Sequence, residues 1–171
     1  IIDSIFIGHG VGSLAISGLA ITFPLMNLSA AFGAMIGVGG SSILSIFLGQ
    51  QKHTSAKKVL SNVLGLNIVL GLLFMIFSLI FLDPILYFFG ASEVTIGYAR
   101  DYMQIILVGN VITHLYLGIN SLLRASGHPK QAMLATFLTV ILNTALDPLF
   151  IFTFDMGIQG AAWATVISQT I

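Results

Sequence analysis

The 171-residue chain contains no cysteine, and only 7% of its residues are charged. The first absence excludes disulfides, thiolate zinc sites and cysteine nucleophiles, and leaves the redox compartment undetermined. The second excludes a water-soluble globule, because 57% of the residues are hydrophobic and too little polar surface remains to cover one. A basic patch with interleaved aromatics is also missing, so nucleic acid is not an expected partner. The short alternating segments of a membrane barrel are missing too. What is present is a series of apolar runs of the length a helix needs to cross a bilayer, about 20 residues each. The expected fold is all-α, a polytopic transmembrane helical bundle with the lipid bilayer as its first partner.

Residues 1–7 read as the tail of a span, and 8–13 (GHGVGS) as a glycine-rich turn. A second span covers 15–48. Pro24 is placed to kink it, and Gly33, Gly37, Gly39 and Gly40 are placed to let neighbouring backbones approach. The polar loop 49–58 leads to a third span, 59–82, closed by Asp83-Pro84 and an interfacial aromatic cluster, Tyr87, Phe88 and Phe89. The fourth span is 98–123, the loop 124–130 follows, and the fifth span is 131–154. Residues 155–159 turn the chain into a sixth run too short to cross. No charged n-region precedes the first apolar residues and the first residue is not methionine. The expectation is therefore a chain cut inside membrane helices at both ends.

Orientation follows from the cations. Lys52, Lys57, Lys58, Arg124 and Lys130, five of the six Lys and Arg residues, lie in or beside loops 49–58 and 124–130, which must share one side. The positive-inside rule makes that side cytoplasmic, and the protein a multi-pass protein of the cytoplasmic membrane. Asp83, Glu93, Asp101 and Asp155 fall in or near loops of the other side, leaving Asp3 and Asp147 inside apolar runs.

A charged side chain at the centre of a membrane helix costs about 2.5–3.5 kcal/mol on insertion scales, so such an aspartate needs a use. Asn143 precedes Asp147 by one helical turn on the same face, and Thr136 and Thr139 extend that stripe. Pro148 lacks an N–H and disturbs the Thr144 carbonyl, which makes it a candidate hinge beside a cluster of oxygens. Asp147 could instead merely cap its span, but it lies about 10 Å before Phe154 at the helical rise, which favours function. Asp3 reaches a similar outer-leaflet depth, so the two carboxylates, packed together, could share a proton or a cation. A weak echo links them: Asp3-Ser-Ile-Phe-Ile and Asp147-Pro-Leu-Phe-Ile. On the fourth span, Asn110, Thr113, His114, Asn120 and Ser121 form a polar stripe that would line a cavity or bond neighbouring helices. Tyr102 would meet a carboxylate or join an aromatic belt. His114 has no second histidine at ligand spacing and reads as packing, His9, His53 and His128 as solvated, so no metal site is expected.

D-S-I-F-I-G-H from Asp3, L-A-I-S-G-L-A from Leu14, N-T-A-L-D-P-L-F-I at 143–151 and G-I-Q-G-A-A-W-A-T-V-I-S-Q at 157–169, in this order, resemble the MATE family of multidrug and toxic compound extrusion transporters. The similarity runs along the whole chain. The resemblance implies a twelve-helix antiporter of two six-helix lobes, in which residues 1–171 are an incomplete N-terminal lobe, from the end of helix 1 to the start of helix 6, with the C-terminal lobe as missing partner. It implies export of organic, often cationic, drugs or metabolites in exchange for H+ or Na+, with no cofactor beyond that coupling ion and no enzymatic step. The cation-coupling network would fall on Asp3, Asn143, Asp147 and Thr165, the last reached only through the resemblance. Tyr102 and Asn120 are weaker members of it, and Tyr102, Asn110, Thr113, Asn120 and Thr139 are the candidates for lining a cavity. Flippases of lipid-linked oligosaccharides belong to the same superfamily and are the alternative. An intramembrane aspartyl protease would need a G-x-G-D stretch, which neither Asp3 nor Asp147 has. A non-transporting helical subunit is a further alternative.

Overall fold

A computed structural model describes residues 2–170, excepting the side chains of Ile2, Asp3 and Ile5. The elements are α1 (Ile2–Gly10), α2 (Ser13–Gly49), α3 (His53–Ile80), α4 (Leu82–Phe88), α5 (Ile96–Val108), α6 (Asn110–Ala125), α7 (Pro129–Pro148), a π turn (Leu149–Thr153) and α8 (Gly157–Ser168). No strand occurs among the described residues, and the fold is the expected all-α bundle. α2, α3 and the α7–π-turn unit are each long and apolar enough to cross a membrane, and α5 with α6 makes a fourth span bent by 55°.

Several boundaries differ from the sequence reading. The chain stays helical through His9 and Gly10 and breaks only at Val11 and Gly12, where Gly12 has φ 117°. The loop expected at 49–58 shrinks to 50–52, with His53 already in α3, and that expected at 124–130 shrinks to 126–128, with Pro129 opening α7. Both corrections have one cause: polar residues mark where the bilayer ends, while a helix continues as far as backbone hydrogen bonding allows. Proline suits the first turn of α7 because its missing N–H would be unsatisfied there anyway. Asp83-Pro84, expected in a loop, opens the short α4, and Asp83 forms a two-pronged ion pair with Arg100, at 2.8 Å to Nε and 2.6 Å to Nη2.

Small residues set the helix spacing. A methyl group on Gly33 would lie 3.2 Å from the His114 ring and 3.3 Å from its Cα, and one on Gly37 would lie 3.1 Å from the Gly118 Cα, so α2 and α6 meet almost backbone to backbone. Gly40 faces Val63 of α3, whereas Gly39 points into open space and takes no part. Between these helices lies a buried polar chain. Ser29 Oγ donates to Asn110 Oδ1 and lies 3.2 Å from His114 Nε2, and Asn110 Nδ2 donates to the Gly71 carbonyl at 3.2 Å.

The fourth span is broken at Gly109, where Val166 of α8 presses so closely that a Cβ would lie 2.4 Å from it. The fifth span is not α-helical to its end. After Pro148 the backbone widens, and the Phe154 N–H donates five residues back to the Leu149 carbonyl at 3.1 Å. Gly160 of α8 sits against this widened turn, since a Cβ there would lie 2.9 Å from both the carbonyl carbon and oxygen of Phe150.

Two outcomes follow for the full-length protein, read as thermal unfolding in detergent. Gly33→Leu should cost about 1–3 kcal/mol by overpacking, whereas Gly39→Leu should stay within about 0.5 kcal/mol; equal losses for both would contradict glycine-mediated contact. Gly160→Ala must push α8 off backbone atoms and should also cost about 1–3 kcal/mol, against a negligible change for Gly97→Ala, which faces open space.

Candidate cation-coupling site

α7 is a poor candidate for burial by composition, yet two of its residues are buried, Ala132 and Asp147. Asp147 is 0% exposed. Its Oδ1 accepts from Asn143 Nδ2 at 3.3 Å, the one-turn pairing expected from their spacing. The same Nδ2 lies 3.4 Å from Thr165 Oγ1 on α8, and the Thr165 hydroxyl donates to the Ala161 carbonyl at 3.0 Å. Asn143 therefore bridges two helices, holding carboxylate and hydroxyl in one polar pocket directly before Pro148 and the π turn.

α1 packs against α7, α8 and the π turn. Its end is anchored there, since a Cβ on Gly10 would lie 2.7 Å from Ile151 and 2.8 Å from Phe152. Asp3 thus belongs to the helix beside this pocket, but its side chain lies outside the described residues, and its distance from Asp147 with it.

The stripe expected along one side of the fourth span divides in two. Asn110 and His114 turn toward α2 and α3, into the Ser29 chain. Thr113 and Asn120 turn toward the last two helices: the Thr113 hydroxyl donates to Gln169 Oε1 at 2.5 Å, and Asn120 Nδ2 donates to the Ala132 carbonyl and to Thr136 Oγ1, each at 3.0 Å. Positions 110 and 113 are separated by three residues, about 60° short of a full turn, and a stripe read on spacing alone merges these faces. Ser121 bonds its own helix at the Leu117 carbonyl. Thr139, half-buried, likewise bonds back to Ala135. Tyr102, 1% exposed, is enclosed in the apolar core with Leu86, Met103 and Leu107. His53, expected in a turn, is the first residue of α3, and His9 the penultimate residue of α1.

Nothing in the periodicity of the sequence singles out Thr165, since α8 is rich in small apolar residues on every side. Only the packing of α7 against α8, which brings Asn143 within 3.4 Å of its hydroxyl, reveals it.

A family model described as MatE matches residues 1–149. The chain is 33% identical over 171 residues to the multidrug export protein MepA of Staphylococcus haemolyticus (strain JCSC1435), a match that covers all of this chain and 38% of that relative. Its fold is similar to the crystal structure of MATE in the bent conformation, with a TM-score of 0.94 at 32% identity over 98% of this chain and 37% of that one. It is equally similar to the inward-facing conformation of a multidrug resistance MATE family transporter of the MOP superfamily, with a TM-score of 0.94 at 32% identity over 98% of this chain and 38% of that one. The chain thus spans well under half the length of the relatives it matches. The family model covers most of the sequence and these likenesses cover nearly all of it: the chain belongs to the MATE family.

Proposed function

We propose that this chain is part of an ion-coupled multidrug exporter, a transporter with no enzymatic step, in which Asp147 takes up the coupling ion, H+ or Na+. The relatives named as multidrug export proteins support the export reading; on that reading the cargo is organic, often cationic, compounds, and the positive-inside rule makes the cytoplasmic membrane its place. The observation that carries it is the fully buried Asp147 carboxylate, bonded to Asn143 and reaching Thr165 through it, one residue before a proline and a widened helical turn.

Protonation changes the carboxylate from an acceptor into a donor and removes its charge; a sodium ion would instead gather oxygens from Asp147, Thr165 and a turned Asn143 amide. Either event alters what α7 and α8 offer each other at the turn after Pro148, the natural place for a hinge. An ion shifts an equilibrium between two arrangements only as far as its affinities for them differ, and a carboxylate with partners on two helices supplies such a difference. Asp3, on the helix beside the pocket, would complete the site, and Thr113, Asn120 and Thr139 would bear on the cavity shared with a second lobe; Tyr102 and Asn110, enclosed in the apolar core and in the Ser29 chain, would not.

In vesicles of full-length protein under an imposed proton or sodium gradient, efflux of a cationic dye should follow one gradient in the wild type. It should fall in Asp147→Asn by about 5- to 150-fold, the span of ordinary coupling free energies. Unchanged gradient-driven efflux by a folded Asp147→Asn protein would remove the assigned role. Asn143→Ala and Thr165→Val should each give a smaller loss than Asp147→Asn, because each removes a partner and leaves the carboxylate in place.

A further inference from the structure

A groove of about 340 Å³ opens where α2 and α6 end and α3 begins. Its walls are apolar, with Leu44, Leu48, Leu60 and Leu123 among them, and its mouth carries Lys57 and His53, both exposed. Lys52 and Lys58 lie nearby in sequence, just before α3 and in its early turns, and Arg124 stands in the last turn of α6. No acidic residue lines the groove or lies in 49–58 or 124–130. Three helix ends meet here, the first turn of α3 and the last turns of α2 and α6. One helix N-terminus and two C-termini leave about half a negative elementary charge, which the full positive charges of the side chains outweigh.

An apolar slot beneath a basic mouth suits a ligand with an aliphatic tail and an anionic head. A soluble anion would leave the walls unused, and a neutral lipid would leave the cations unused. The opposite end of the same helix pair provides the contrast. There a groove of about 410 Å³ between Leu25, Phe74, Phe77 and Phe88 has equally apolar walls and no cation at all. We propose that the α2–α3–α6 groove is a binding site for an anionic phospholipid of the leaflet faced by the basic loops, its acyl chain in the slot and its phosphate at Lys57 and His53. Basic pockets between membrane helices on the cytoplasmic side hold anionic headgroups by this arrangement. The site is separate from Asp147 and does not depend on the export reading.

Native mass spectrometry of the full-length protein, exchanged into phosphatidylglycerol or phosphatidylcholine of identical acyl chains, tests the assignment. The wild type should retain phosphatidylglycerol over phosphatidylcholine by at least about fivefold, the effect of one basic side chain near a charged surface. The double substitution Lys57→Gln, His53→Gln should bring the two lipids to parity. Leu60→Trp, at a position 41% exposed, should fill the slot and lose the retained lipid of both kinds. Excess inorganic phosphate should leave the lipid bound, since it has no tail. Equal retention by the wild type, a preference that survives the double substitution, or displacement by free phosphate would each overturn the proposal.

Discussion

The lobe depends on the near-contact of α2 with α6 and α3, because no hydrophobic force distinguishes a neighbouring helix from lipid. What holds such helices is close packing and interhelical hydrogen bonds. Gly33, Gly37 and Gly40 provide the first, and the Ser29 chain provides the second. The chain has a direction. If the Ser29 hydroxyl donates to Asn110, the contact with His114 requires a proton on Nε2, and the buried Nδ1 has no hydrogen-bond partner among the described residues. That places a ring commonly associated with catalysis or metals in a purely interhelical role, and it fixes the rotation of α6 relative to α2.

α8 connects that part to the Asp147 pocket. Adjacent residues of α8 face two different breaks: Thr165 reaches Asn143 beside Pro148, and Val166 presses on Gly109 at the bend between α5 and α6. The residue following Gly109 is Asn110, a member of the Ser29 chain. A displacement of α8 that follows a change at Asp147 therefore meets the fourth span where its backbone is already broken, and not along a continuous helix. Contiguity of this kind makes coupling physically available; an equilibrium between two arrangements of α8 is what would make it operate.

Much of this was legible in the sequence because the bilayer imposes a length and a polarity on each span. The number and order of spans, the side carrying the cations, the packing glycines and the Asn143–Asp147 pair all follow from local pattern. The bend at Gly109 does not, since no proline marks it; the side chain packed against it there is Val166, a residue 57 positions away in the chain. The division of the polar stripe on α6 is hidden for the same reason, because which neighbour each face meets is decided by tertiary packing. The Asp83–Arg100 pair is likewise a meeting of α4 with α5, and Arg100 was the one cation outside the basic loops.

α7 shows how burial differs here from a soluble fold. In water, the buried stripe of a helix is its apolar stripe. On α7 the large apolar side chains Met133, Phe137, Leu138 and Ile141 stand exposed, while the fully buried positions are an alanine and a carboxylate. The pattern is inverted because lipid, or another apolar surface, accepts the large side chains at no cost, whereas Asp147 in lipid would have neither water nor a partner. Turning it inward to Asn143, which also reaches Thr165, gives the carboxylate a polar partner. Asp147 is thus the one ionisable side chain among the fully enclosed positions of α7, and it lies one residue before the proline at which the helix widens.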